Sequence, residues 1–187
     1  ADAPDTIRRF KLFRVDPLSL TDVLPIFTDM GVEVVDENPF EVSRADGARL
    51  HVYDFGLRVR DAAVWEECPH ERLRELFEGA VAAVWAGRAE SAGFNRLVLA
   101  AQLTWRQVVI LRTVAKYLRQ TRATYSQRYL EDALVSHPRM ARDLVERQGR
   151  LAAQRTVPGV APGTVPRTAP VVVRGTAMAT AIPDTDR

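Results

Sequence analysis

The chain contains one cysteine, Cys68, in 187 residues, so no disulfide can close within it. A lone thiol suits a reducing compartment, and the expected setting is cytoplasmic. Only His70 stands near it in sequence, which leaves Cys68 without an evident activating base and reads as an ordinary thiol. Lysine is almost as scarce. Lys11 and Lys116 are the only two, and arginine supplies the rest of the positive charge, a usage expected of a GC-rich bacterial gene. No apolar run approaches the ~20 residues that a membrane-spanning helix needs. The first residues carry Asp2 and Asp5 and no apolar stretch, so no secretory leader is expected, and the start at Ala1 fits a piece of a longer polypeptide.

The chemistry-bearing patterns are thin too. The ten glycines are scattered, and no G-x-G-x-x-G follows a strand to cradle a pyrophosphate. His51, His70 and His137 are far apart and make no H-E-x-x-H spacing, so no metal site is expected. No G-x-S-x-G or Ser/His/Asp grouping stands out. A net charge of +2 is too small an excess to argue for a nucleic-acid partner by itself. We read no catalytic, cofactor-binding or metal-binding residue here.

What is present is an ordered alternation of elements. Phe10 to Val15 reads as a strand ended by Asp16-Pro17. Ser19 is placed to cap a helix with Leu20, Val23, Leu24, Phe27 and Met30 on one face, and Gly31 to end it. Pro25 lies inside this helix and should bend it. Val32 to Asp36 follows as a strand, broken at Asn38-Pro39. Phe40 to Arg44 and Leu50 to Val59 read as a hairpin around Asp46-Gly47. In the second arm Tyr53, Phe55, Leu57 and Val59 alternate with Asp54, Gly56, Arg58 and Arg60, one face buried and one wet. A helix over Glu71 to Ala86 then presents Leu73, Leu76, Phe77, Ala80, Val81 and Val84. The expectation is an α+β βαββα sandwich over residues 7–88.

From Gly93 the pattern turns helical, over Phe94 to Gln102, Thr104 to Gln120, Ser126 to Val135, and again from Ser136, where Met140 and Leu144 supply an apolar stripe. The Thr104 to Gln120 helix is the most strongly patterned element. Val108, Leu111, Val114, Ala115 and Leu118 form its apolar face, and Arg112, Lys116 and Arg119 are expected together on the opposite one. The helical motif spans 89–148. Beyond it, residues 149–187 are rich in Pro and Gly, carry no aromatic residue, and read as a disordered or non-native tail, either a linker or a shifted reading frame.

The stretch GFNRLVLAAQLTWRQVVILRTVAKYLRQ, the following Tyr125 to Asp132, and the upstream blocks Pro17 to Pro25 and Tyr53 to Arg58 resemble the large bacterial type of NAD-specific glutamate dehydrogenase. The resemblance runs from about Phe10 to about Val145. It implies an ACT-like regulatory domain, here short of its last strand, and a helical motif, both upstream of a catalytic domain that is not in these residues. It implies NAD as the parent enzyme's cofactor, with none bound by this chain.

The partners so implied are other domains or subunits of the parent, in a homo-oligomer. Arg112, Lys116 and Arg119 are the candidate inter-domain contact. Lys116 has cationic neighbours of the kind that activate a catalytic lysine, but they sit on what reads as a polar face, which favours a solvated or inter-domain role. Asp16 and Ser19 mark the turn where ACT domains can hold an amino acid, although that turn lacks the family's glycine. Two other readings stand beside this one: a free-standing amino-acid-binding or protein-interaction module, and nucleic-acid binding by Arg106, Arg112, Lys116, Arg119, Arg122 and Arg128 with Trp105, Tyr117, Tyr125 and Tyr129.

Overall fold

The structure, a computed structural model, describes residues 7–43, 47, 49–59, 68–121 and 125–154, the last four by backbone alone. Three strands, β1 (Ile7–Arg14), β2 (Val32–Ser43) and β3 (Arg49–Val59), form an antiparallel sheet with β3 in the centre. Helix α1 (Leu20–Asp29) joins β1 to β2, and α2 (His70–Trp85) follows β3. A short 3-10 helix (Gly93–Arg96), α3 (Leu97–Ala100), α4 (Trp105–Gln120), α5 (Gln127–Ser136) and α6 (Pro138–Gln154) complete the described chain. The class is α+β, as read from the sequence.

The sheet and the first two helices meet through aromatic side chains. Phe10, Leu12, Tyr53, Phe55 and Leu57 point from one sheet face into a cluster with Val23, Ile26 and Phe27 of α1 and Leu73, Leu76 and Phe77 of α2. Phe27 is fully buried and meets Phe10 and Phe55 edge-on at centroid distances of 5.6 and 5.2 Å, geometry that suits the ring quadrupoles. Gly31 ends α1 with a φ of +79°, a conformation that other residues adopt only at a cost. The same cluster continues without a break into Phe94, Leu97, Val98, Leu103, Val108, Leu111, Ala141 and Val145, so the sheet layer and the later helices share one core.

Three local expectations change. β2 does not stop at Asn38-Pro39 but runs on to Ser43, with an irregularity between Val34 and Asp36. Pro39 is tolerated because β2 is an edge strand, so the missing N–H costs no ladder bond on the outer side. The segment after Gly93 is not one helix. A 3-10 turn and a single α-turn end at Gln102, whose φ of 53° reverses the chain before Thr104. In α6 it is Ala141 and Val145 that are buried, while Met140 and Leu144 stay 45% and 42% exposed. Helix α6 runs to Gln154, and the tail from 155 lies outside the described residues.

Candidate functional site: a polar junction between helices

Helix α4 begins with a reciprocal cap. The Thr104 hydroxyl accepts from the Gln107 amide, and the Gln107 side chain accepts from the Thr104 amide at 2.8 Å, so two donors that the first turn leaves open are satisfied. The face that α4 buries carries Val108, Leu111 and Ala115, and Arg112 is turned inward with them. The expectation of a shared polar face for Arg112, Lys116 and Arg119 fails at this residue. Arg112 stands four residues after Val108 and three before Ala115, both buried, and is itself only 4% exposed.

Its guanidinium is held by one side chain. Arg112 Nη2 donates to Asn95 Oδ1 at 2.7 Å, and Asn95 Nδ2 donates in turn to the Glu90 carbonyl at 3.0 Å. Among the described residues the Arg112 Nε has no hydrogen-bond partner. Burial holds the guanidinium below its ordinary pKa, while the carboxylates of Glu90, Glu131 and Asp29 act in the other direction. Asn95, Arg112 and Glu131 are the buried polar residues among those described, and they come from three elements.

Glu131 reaches this place because Gly93 leaves room. A Cβ on Gly93 would run into the Glu131 carboxylate, so a side chain here would force that carboxylate to shift. Glu131 Oε1 accepts from Gln127 at 2.9 Å, and Gln127 Oε1 accepts from Arg119 at 3.2 Å. Around the rim, Lys116 pairs with Glu90 at 2.6 Å and Arg96 with Asp132 at 2.7 Å. The hydrogen bond from Lys116 lowers the Glu90 pKa. Two features tie this junction back to α1: Ser91 donates to Asp29 at 2.6 Å, and the Arg96 stem lies where a side chain on Gly31 would meet it.

The turn before α1 is built differently. Asp16 is exposed and at most 4.0 Å from Arg14. The Ser19 hydroxyl bonds to that of Thr21 at 2.6 Å and makes no bond to the helix amides, so Ser19 stands at the cap position without the expected side-chain cap. The Leu18 amide is already engaged by the Tyr53 hydroxyl at 2.7 Å. Among the described residues no group of three or more His, Cys, Asp or Glu is placed to hold a metal ion, and no helix is long and apolar enough to cross a membrane.

Residues 1–69 match the family model described as glutamate dehydrogenase, ACT3 domain, and residues 89–148 match glutamate dehydrogenase, helical motif 3. The chain is 44% identical over 130 residues to the NAD-specific glutamate dehydrogenase of Mycobacterium tuberculosis, covering 68% of this chain and 8% of that protein. The enzymes of the same name from Halomonas elongata and Pseudomonas aeruginosa are 40% and 37% identical over 136 residues, in each case 72% of this chain and 8% of the relative. The chain belongs to the NAD-specific glutamate dehydrogenase family. It spans about 8% of the length of these curated relatives.

In this glutamate dehydrogenase family member the junction falls inside the helical-motif match, which holds Glu90, Gly93, Asn95, Arg112 and Glu131. Asp29 belongs to the ACT3 match, so the hydrogen bond it accepts from Ser91 joins the two matched stretches directly. Helix α2 lies between the matches and in neither. Sequence reasoning singled out Arg112, Lys116 and Arg119 but missed Glu90, Asn95 and Glu131. One signal was there to be used: Asn95 is a lone amide set among Phe94, Leu97, Val98 and Leu99.

Proposed function

We propose that this chain is a non-catalytic, regulatory or assembly part of an NAD-dependent glutamate dehydrogenase, the parent carrying out oxidative deamination of L-glutamate to 2-oxoglutarate and ammonia with NAD. The observation that supports it most is the pair of family matches in series, to an ACT domain and then a helical motif. On this reading residues 7–88 are an ACT-like βαββα domain, residues 89–148 a helical motif, and residues 149–187 a tail outside both. NAD binds elsewhere in the parent, in the cytoplasm, within a homo-oligomer.

Within that reading Lys116 and Arg119 face a neighbouring domain or subunit. Both are exposed, in keeping with such a contact. Arg112 acts from inside, holding α4 against the 3-10 turn so that the two outer cations are presented in a fixed position. The test is direct. The purified chain mixed with L-glutamate and NAD is expected to form no NADH above the rate without protein, by absorbance. Turnover by this chain alone, or saturable NAD binding to it, overturns the proposal.

A further inference from the structure

The chain that leads from α2 into the 3-10 turn is held at two adjacent residues by two different elements. The Ser91 hydroxyl donates to Asp29, in the last turn of α1, at 2.6 Å. The Glu90 carbonyl accepts from Asn95 Nδ2 at 3.0 Å, and Asn95 Oδ1 accepts from Arg112 of α4 at 2.7 Å. Glu90 and Ser91 lie in neither a helix nor a strand, so no repeating ladder fixes their backbone. Its place is set by these side-chain bonds.

The contacts along this line differ in how much displacement they absorb. Helix α1 has ten residues and buries Val23, Ile26 and Phe27, so it shifts as one short rod of about 15 Å. At the rim, Lys116 meets the Glu90 carboxylate with a long, half-exposed side chain that can follow Glu90 as it moves. Asn95 has no such slack. It is short, 4% exposed, and bonded at one end to the Glu90 carbonyl and at the other to Arg112. If that carbonyl withdraws, Nδ2 becomes an unmatched buried donor. Rotating the amide toward another acceptor would take Oδ1 from the guanidinium, whose Nε already lacks a partner among the described residues. A displacement of Ser91 thus has a route inward to Arg112.

We propose that Glu90 and Ser91 form a coupling element, in which the Asp29 carboxylate at the end of α1 sets, through Ser91, Asn95 and Arg112, how firmly α4 is held. A shift of α1 is then felt along α4, whose later turns expose Lys116 and Arg119. That the coupling serves regulation rests on the function proposed above. The coupling itself is a property of this chain and has its own readout.

Hydrogen–deuterium exchange of the whole chain, followed by mass spectrometry over peptides from α4 and from β3, tests it. Ser91→Ala should speed exchange in α4 by about threefold, the size expected when one hydrogen bond of ordinary net strength is lost, and leave β3 unchanged. The same substitution should add nothing in an Asp29→Ala or an Arg112→Met background, where the line is already cut. In a Lys116→Met background it should keep its effect, because the rim pair is not on the route. Exchange in α4 at the wild-type rate overturns the proposal, as does equal acceleration in α4 and β3. An effect that persists with Arg112→Met, or disappears with Lys116→Met, overturns it too. NADH formation by the same preparation overturns the regulatory reading instead and leaves the exchange result standing.

Discussion

Arg112 and Asn95 are buried together, seventeen residues apart in sequence, and joined by a 2.7 Å hydrogen bond from guanidinium to amide oxygen. The bond holds in place a cation buried in an apolar setting, whose charge the carboxylates of Glu90, Glu131 and Asp29 favour from a distance. Its loss should therefore cost more than the loss of the cation. Asn95→Leu, which strands the guanidinium, is expected to destabilise the chain by about 3 kcal/mol or more, while Arg112→Met costs roughly half as much. Urea unfolding of both single variants and the double variant checks this. If Arg112→Met is the more damaging of the two, the buried cation is not held chiefly by Asn95.

Gly93 and Glu131 make a second pair of this kind, in which one residue exists to leave room for the other. Gly93→Ala should push the Glu131 carboxylate out of its place and cost about 1–3 kcal/mol through overpacking. Glu131→Ala removes the obstacle. The double variant should then be more stable than the sum of the two single losses predicts, by ~1 kcal/mol or more. Additive losses in a thermal or urea cycle would mean that the close approach carries no energetic weight.

Much of the α/β part could be read from residue order, and the reasons are local. The alternation in Tyr53, Phe55, Leu57 and Val59 and the glycine after Met30 report directly on a strand face and a helix end. The Thr104 cap was legible for the same reason, since both partners lie within four residues. What failed depended on distant partners. The pattern in α4 shows an apolar arc, but Arg112 lies at its margin, and only Asn95 and Glu131, arriving from other elements, decide that this margin is buried. The fate of Pro39 likewise depended on strand order, because the same proline in the central strand would have broken the ladder. Ala141 and Val145 were overlooked beside the larger Met140 and Leu144, since small residues are what a close helix contact admits.

The Thr104 cap provides a calibration against these longer-range effects. Thr104→Ala removes one half of a reciprocal pair, and the expected loss is about 1 kcal/mol. Thr104→Ser should restore most of it, because the hydroxyl is kept. A loss on Thr104→Ala that serine does not recover would point to packing of the threonine methyl instead, measured by the same unfolding midpoint.

The last prediction concerns pH and the rim pair of Lys116 and Glu90. The hydrogen bond from Lys116 lowers the Glu90 pKa below the ordinary range of a glutamate. A carboxylate whose folded pKa is depressed binds protons less readily folded than unfolded. Its stabilising contribution is present above the unfolded pKa and is lost as pH falls through the folded one. Stability should therefore decline below pH ~4.5 partly through this group. Both partners are half-exposed or more, so solvent screening keeps the contribution within about 0.5 kcal/mol. Lys116→Met and Glu90→Gln should each flatten that acid limb by the same small amount, and the double variant should flatten it no further. Unfolding midpoints at intervals from pH 3 to 6 check the equality. Unequal slopes would show that Glu90 is held by the Arg112 cation behind it more than by Lys116, and would move the electrostatic weight of the junction from its rim to its buried centre.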